Sequence, residues 1–281
     1  MSDDGADDSD SDAGSIINPD EELPASTLAL LRSLGLRSDP ASQEYSLQSN
    51  GDTERISSDV IDLQATDPLE AANELKRNGV VRLNGILSEA LCNECAAAVN
   101  EDLLSARQQG RDHYTEAKTN GFGNVYSKFG NVDSKDNRWD MYLRNKGAYA
   151  KSIKHMLGEE SSVLRQLFAS LFGPKDASLY EFAALISDCG ADSQRIHPDS
   201  TFQSNCALYT VFTALQDIPE ERGPTVFIQG SHTDEAHRSL RRDRKAYLSS
   251  VQYHRALLRK GDVAIMDSRL LHCGGTPGAS F

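Results

Sequence analysis

The hydrophobic pattern of this chain changes its period at Gly173-Pro174, and that change limits the folds open to the sequence. Before this point, apolar residues between Leu164 and Leu171 recur at i, i+3, i+4 and i+7, the spacing of an amphipathic helix. After it come short β-rich runs, most of them separated by turn signals, at about 178–187, 205–217, 224–229, 250–258 and 262–267. Short strands at such spacing are typical of a barrel or a sandwich. The sequence therefore predicts an α+β fold in which helices come first and a β-core follows.

A helix, a strand and a second helix are predicted in front of that core. Asp67 is a favourable N-cap and Pro68 suits the first helical position, while Gly79 marks the end of this helix. Val80–Leu83 has the composition of a strand. The second helix is predicted from its cap at Ser88 to about Leu104.

The negative charge of the chain is concentrated at its N-terminus. Of the formal net charge of −13 over 281 residues, residues 1–23 contribute −9, because they contain nine Asp or Glu and no Lys or Arg. Such a segment repels itself and buries little apolar surface, so residues 1–58 are predicted to be an acidic, mostly disordered tail and linker. Leucines at helical spacing predict a short helix at 26–36, which either docks on the main domain or binds a protein partner. Residues 59–281 are predicted to form the folded domain.

The rest of the composition excludes several classes of protein. Without residues 1–23, the rest of the chain has a formal net charge of only −4. This near balance of charges argues against a nucleic-acid binder, which needs a basic face. Five cysteines, an odd number, do not form a disulfide scaffold. The N-terminus lacks the features of a signal peptide, and no stretch approaches the roughly 18 apolar residues of a membrane span. A cytoplasmic location without a membrane span is therefore expected.

His197, Asp199 and His272 are the main candidates for a chemical site. Side chains at i and i+2 of an extended segment point to the same side, so His197 and Asp199 can ligate one metal ion. A second histidine on a later strand completes a set of two imidazoles and one carboxylate. That set leaves about three positions open and suits non-haem Fe(II), although it also accepts Mn²⁺ or Co²⁺. A bare His-x-Asp is common by chance, and the alternative is that Pro198 merely marks a turn.

Two longer segments accompany these residues. The run from Gly223 to His232 is predicted to be a strand that ends in a tight turn, and a Gly261-Asp262 turn precedes the strand before His272-Cys273-Gly274-Gly275. Together with the N-terminal helix, strand and helix, this order resembles the phytanoyl-CoA dioxygenase family of Fe(II)- and 2-oxoglutarate-dependent oxygenases over about residues 67–281. The resemblance implies a double-stranded β-helix, or jelly roll, with a cupin-like core and N-terminal helices packed against it.

The resemblance also implies roles for individual residues. His197, Asp199 and His272 would ligate Fe(II), no further catalytic residue is expected, and Gln194 and Phe212 would lie at the 2-oxoglutarate pocket. Enzymes of this family use O₂ to hydroxylate an unactivated carbon while 2-oxoglutarate is decarboxylated to succinate and CO₂. Related halogenases replace the carboxylate ligand with a small residue. Asp199 therefore favours hydroxylation of a small organic or lipid-like substrate over halogenation.

One part of the family pattern is missing from this sequence. The family binds the distal carboxylate of 2-oxoglutarate with an arginine about ten residues beyond the second histidine, and residues 273–281 contain no arginine. The last strands of the family's jelly roll are expected to be missing as well, as in a chain that is cut short. Arg269, Arg259 and Arg195 are candidate substitutes that the spacing does not separate.

Two other functions are consistent with the absence of this arginine from the sequence. The first is a non-catalytic jelly-roll module that binds a metal ion without 2-oxoglutarate, which the missing arginine favours. The second is a scaffold domain whose acidic tail recruits a protein partner.

Overall fold

The computed structural model describes residues 67–108, 129–130, 132, 136–173, 177–206 and 208–278. The predicted acidic tail and its short helix lie outside the described residues. Helices and antiparallel sheets make up the described part, which agrees with the predicted α+β class. None of its helices combines the length and the apolar character that crossing a membrane requires.

The described residues form six α-helices and eight strands. The helices are α1 (Pro68–Asn78), α2 (Glu89–Gln108), α3 (Gly147–Ile153), α4 (Val163–Phe172), α5 (Asp234–Arg242) and α6 (Arg244–Ser250). The strands are β1 (Val80–Leu83), β2 (Arg138–Tyr142), β3 (Ala183–Ser187), β4 (Tyr209–Thr213), β5 (Val226–Phe227), β6 (His254–Arg255), β7 (Val263–Asp267) and β8 (His272–Cys273).

The helix boundaries follow the signals in the sequence. The Asp67 carboxylate accepts hydrogen bonds from the first backbone N–H groups of α1, and Gly79 ends the helix in the left-handed region with φ of 76°. A Cβ at Gly79 would lie 2.5 Å from Nδ1 of His232, so the turn requires glycine for space as well. α2 continues past its predicted end at Leu104, because no Gly or Pro interrupts it before Gln108.

Four elements lie outside the predicted helices and strands: α5 and α6, in the half where strands were expected, and β2 and α3, in the half before it. The last two lie in a region of weak signals. Gly, Asn, Asp and Lys dominate the residues around them, and this composition conceals a five-residue strand and a short helix. A π-helix at Lys154–Gly158 follows α3 directly. The predicted β-rich runs do contain β3 to β7, but each strand is shorter than the run that predicted it, because the ends of the runs form loops and turns.

The strands form three antiparallel sheets, whose orders are β1-β7-β4, β2-β3 and β6-β5-β8. The first and third sheets face each other, since Met266 of β7 and Phe227 of β5 share one buried cluster. Helices cover the outer faces: α1 and α4 pack on the first sheet and α6 packs on the third. α2 and α3 cover β2-β3 through a cluster around Trp139. We call the sides of these sheets that turn away from the helices the inner face.

The core beneath α1 provides a test of this packing. Leu75 is 0% exposed and packs against the first sheet, whereas Leu69, on the same helix, is 65% exposed. Leu75→Ala is expected to lower the free energy of unfolding by about 2–5 kcal/mol, because a buried leucine leaves a cavity. Leu69→Ala is the matched control and should change it by about 0.5 kcal/mol or less. Urea unfolding of both variants measures the difference, and equal losses would contradict the packing.

Candidate metal centre

The structure brings His197, Asp199 and His272 together on the inner face. One ligand atom from each residue lies within 4.8 Å of the other two. The closest atom of Asp199, Oδ1, is 3.9 Å from Nε2 of His197 and 3.4 Å from Nε2 of His272. The three side chains therefore converge on one point.

Backbone pairing positions the two histidines. His197 and His272 form an antiparallel bridge in which each backbone N–H donates to the carbonyl of the other at 2.9 Å. Their rings lie side by side, with centroids 4.6 Å apart. Phe227 pairs with His272 on the other side, and the centroids of these two rings are 6.1 Å apart. β8 is thus held between β5 and the segment that carries His197.

Asp199 is held by contacts on both sides. The hydroxyl of Thr210 on β4 donates to Oδ2 of Asp199 at 3.1 Å. The backbone N–H of the next residue, Ser200, donates to the carbonyl of Ser268 at 3.0 Å, which ties the turn to the segment before His272. The carboxylate is therefore fixed between β4 and the loop that leads into β8.

Both histidines present the same nitrogen to the site. Nδ1 of His197 lies 2.6 Å from the carbonyl of Arg195, and Nδ1 of His272 lies 3.0 Å from the carbonyl of Leu270. With the proton on Nδ1, each ring donates to its carbonyl and leaves the Nε2 lone pair for a metal ion. Hydrogen bonds of this kind orient the imidazole ligands of metal sites and raise their basicity.

The electrostatics of Asp199 suit a cation. Burial raises the pKa of the Asp199 carboxyl, but a hydrogen bond with His272 and attraction to both histidines in their protonated forms outweigh burial, so the pKa falls below its usual value. The bond from Thr210 acts in the same direction. Asp199 is therefore ionised at neutral pH, as a metal ligand must be.

The three donors fit one divalent ion. Donors on one face of an octahedron lie about 3 Å apart when metal–ligand bonds are about 2.1 Å long. The separations in the structure, 3.9 and 3.4 Å from Oδ1 of Asp199, are slightly wider, so small side-chain movements would bring the donors to these distances. Two imidazoles and one carboxylate then leave about three positions for other ligands.

The two residues predicted at the 2-oxoglutarate pocket contact different elements. Gln194 accepts a hydrogen bond from the backbone N–H of Gly274 at 2.8 Å, two residues beyond His272. Phe212 lies on β4 opposite Ala264 and packs against the inner-face cluster that contains Phe227. Phe212 is two residues from Thr210 on the same strand, and the role of both residues at the pocket stays a prediction.

The three arginines considered for the distal carboxylate of 2-oxoglutarate are either engaged or exposed. Arg269 is engaged in a buried ion pair, in which its Nε and Nη2 donate to the two carboxylate oxygens of Asp267 at 2.8 and 2.5 Å. Arg195 and Arg259 are exposed. The structure therefore gives no support to any of these three as an anion-binding group on the inner face.

The β2-β3 sheet adds residues that sequence reasoning did not single out. Trp139 and Met141 pack beneath α2 and α3, so the alternating residues Arg138 and Asp140 face away from the helices. Burial raises the pKa of Asp140 to about 6, and the charge of Asp199 adds to the rise. Burial also raises the pKa of Glu181, just before β3, to about 7, with contributions from both aspartates. The alternation of polar and apolar residues in β2 is the signal that could have revealed this row of polar side chains.

The raised pKa of Glu181 predicts a pH-dependent stability in the metal-free protein. Because the folded-state pKa of about 7 exceeds the ordinary value of 4.5, ionisation of Glu181 destabilises the fold. This penalty is absent below about pH 4.5, grows as the pH rises and is complete above about pH 7. Glu181→Gln is therefore expected to stabilise the protein at pH 8 and to change little at pH 4.5.

Urea unfolding at the two pH values measures this effect. Glu160→Gln, at a glutamate in the turn before α4, is the control and should have a similar small effect at both. A stabilisation by Glu181→Gln that is equal at pH 4.5 and pH 8 would contradict the assignment.

Comparison with known proteins identifies the family. The family model "Phytanoyl-CoA dioxygenase (PhyH)" matches residues 75–277. The structure of AviO1 from Streptomyces viridochromogenes Tue57 is similar at 18% identity and a TM-score of 0.54, covering 77% of this chain and 91% of that one. SnoK, titled a non-heme alpha ketoglutarate dependent carbocyclase from nogalamycin biosynthesis, is similar at 19% identity and a TM-score of 0.49, covering 75% and 78%. No curated protein sequence matches the chain.

These findings confirm the family and the class of enzyme. The family implies a cupin-like jelly roll, which agrees with the facing antiparallel sheets of the described residues. Its members depend on Fe(II), 2-oxoglutarate and O₂, and the grouping of His197, Asp199 and His272 is one that could hold the metal ion. Because the family model matches well over half of the sequence, the chain belongs to the phytanoyl-CoA dioxygenase family and is an Fe(II)- and 2-oxoglutarate-dependent enzyme.

Proposed function

We propose that this protein is a dioxygenase that hydroxylates a small organic or lipid-like substrate, with His197, Asp199 and His272 as its three Fe(II) ligands. The observation that carries this proposal is the convergence of their ligand atoms within 4.8 Å on the inner face. In the overall reaction, one oxygen atom of O₂ enters a C–H bond of the substrate and the other enters succinate, with release of CO₂. Bound Fe(II) supplies the redox chemistry of this step.

The protein's own residues hold and orient the reactants. The bridge between His197 and His272 fixes two ligands, and Thr210 fixes the Asp199 carboxylate. Phe212 and Gln194 are proposed to border the co-substrate on either side. Since three protein ligands leave about three positions, a bidentate co-substrate and O₂ can both reach the metal ion.

The presence of Asp199 supports hydroxylation over halogenation. A halide needs the coordination position that a carboxylate ligand otherwise fills. Here the carboxylate is held by Thr210 and is ionised, so it is ready to occupy that position. The predicted preference for hydroxylation therefore rests on both the residue and its surroundings.

Removal of one ligand tests the metal site without turnover. His197→Ala is expected to weaken binding of Mn²⁺ or Co²⁺ on the order of 100-fold or more, since loss of even an outer-shell partner weakens a metal site by about 10–100-fold. Isothermal titration calorimetry measures this loss. His155→Ala, at a surface histidine that pairs with Glu159, is the matched control and should bind metal normally. Normal binding by His197→Ala would exclude His197 as a ligand.

The reaction itself is tested with 2-oxoglutarate. The Fe(II)-loaded, oxygen-free protein is expected to show the weak visible charge-transfer band of the chelate, and to form succinate when O₂ is admitted. Asp199→Ala should lower succinate formation about 100-fold or more, whereas Asp234→Ala, at an exposed ion pair on α5, should not. A metal-loaded protein that shows neither band nor succinate would instead be the non-catalytic metal-binding module.

A further inference from the structure

Arg269 lies in the loop between β7 and β8, three residues before His272. It is buried, and so is Asp267 at the end of β7. Nε and Nη2 of Arg269 donate to the two carboxylate oxygens of Asp267 at 2.8 and 2.5 Å, and the backbone N–H of Arg269 donates to one of these oxygens at 2.9 Å. The three bonds fix the conformation of the loop where it leads into β8.

The remaining nitrogen of this guanidinium reaches the segment that follows Asp199. Nη1 donates to the carbonyls of Gln203 and Ser204 at 2.6 and 3.3 Å. The guanidinium carbon lies 5.7 Å from the centroid of the Phe202 ring, which is the geometry of a cation–π contact. One side chain therefore joins the loop before His272 to the segment after Asp199.

A pair of serine side chains makes a second connection between the same two segments. The hydroxyls of Ser200 and Ser268 are hydrogen-bonded at 2.7 Å, and both residues are buried. Ser200 directly follows Asp199, and Ser268 directly precedes Arg269. The two segments are thus joined next to Asp199 as well as through the guanidinium.

The surroundings of Arg269 shield it from solvent. His237 on α5 is 4% exposed, and its Nε2 lies 2.7 Å from the backbone carbonyl of Arg269. The rings of His237 and Phe202 pack together with centroids 5.6 Å apart. Charge-assisted hydrogen bonds of a guanidinium fork are stronger in such a desolvated place than in water. The contacts of Arg269 therefore hold the two segments firmly.

The position of one candidate ligand relative to the others depends on this connection. His197 is already tied to His272 by backbone pairing, so these two imidazoles form one unit. Asp199 belongs to the segment that Arg269 ties to that unit, and its Oδ1 lies 3.4 Å from Nε2 of His272. The groups of a functional site must be held within about 0.5 Å of the productive geometry. A small displacement of this segment would therefore weaken metal binding.

We infer that Arg269 is a positioning residue of the metal centre. By binding Asp267 and the Gln203 carbonyl at the same time, it sets where the Asp199 carboxylate lies relative to the two imidazoles. The inference rests on the proposed function, because it takes His197, Asp199 and His272 as the metal ligands. Arg269 acts in this role only through the two segments that it joins.

Replacement of Arg269 by lysine tests this role. Arg269→Lys keeps the positive charge and an apolar stem, but an ammonium lacks the planar fork that binds Asp267 and Gln203 together. Its affinity for Mn²⁺ is expected to fall about 10- to 100-fold, the range for loss of an outer-shell partner. Calorimetry on the full chain measures this loss. The visible ligand-field absorption of the Co²⁺-loaded protein should change as well, because it reports the geometry of the ligands.

Arg82→Lys is the matched control. Arg82 on β1 forms another largely buried arginine–aspartate pair, in which Nη2 lies 3.1 Å from Oδ2 of Asp262, and it also donates to the carbonyl of Leu257 at 3.1 Å. The segments that it joins carry none of the three candidate ligands. Both lysine variants are expected to lose stability in urea unfolding, since each disturbs a buried ion pair. Only Arg269→Lys should change the Mn²⁺ affinity and the Co²⁺ spectrum.

Ser200→Ala is a second variant that leaves Arg269 in place. It removes the hydroxyl pair with Ser268 and is expected to weaken Mn²⁺ binding about 3- to 10-fold, the equivalent of one hydrogen bond. Ser152→Ala is its control and should bind Mn²⁺ normally. Ser152 lies on α3, is 2% exposed and donates to the carbonyl of Tyr149 at 2.8 Å.

The outcomes separate this inference from the proposed function. Normal Mn²⁺ affinity in Arg269→Lys, or in Ser200→Ala where the lysine variant does not fold, overturns the role of Arg269 and leaves the ligand set intact. An equal loss of affinity in Arg82→Lys also overturns that role, because the effect would then be one of general stability. A wild-type protein that binds no metal ion, or binding that survives His197→Ala, overturns both.

Discussion

The reciprocal hydrogen bonds between the backbones of His197 and His272 are the interaction on which the site depends. They join two segments far apart in the sequence and place both imidazoles on the inner face. A slip of one residue would turn His272 to the opposite face, where Cys273 now packs in the cluster beneath α6. Pairing of Phe227 with His272 holds the same register from the other side. The chemistry of the site is therefore a consequence of strand register.

Local signals predicted most of the elements but not how they pair. Asp67 and Gly79 set the ends of α1 because a cap and a left-handed glycine act within a few residues. β2 escaped prediction because Gly, Asn, Asp and Lys dominate the residues around it, although Arg138 and Asp140 alternate with apolar residues as in a strand. Its partner β3 lies more than forty residues further along the chain, and no local pattern encodes that register.

The candidate site likewise contains some residues that the sequence could predict and others that it could not. His197, Asp199 and His272 were predictable, because their spacing and the segments around them resemble a family with a known ligand set. Thr210, Asp140 and Glu181 were not, since each comes near Asp199 through the packing of a separate strand or loop. Their positions depend on how the separate sheets pack together. Motifs thus indicate the candidate metal ligands, while the residues around those ligands emerge only from the assembled fold.

The acidic side chains near Asp199 would couple binding of the metal ion to binding of the co-substrate. Asp199, Asp140 and Glu181 repel one another at the metal end, and burial and this repulsion raise the pKa values of the latter two. A divalent cation held by Asp199 would become the largest local charge and would lower both pKa values. Before the cation binds, the chelating end of a dianion would face carboxylates. The proposed site is therefore expected to bind its metal ion before a dianionic co-substrate.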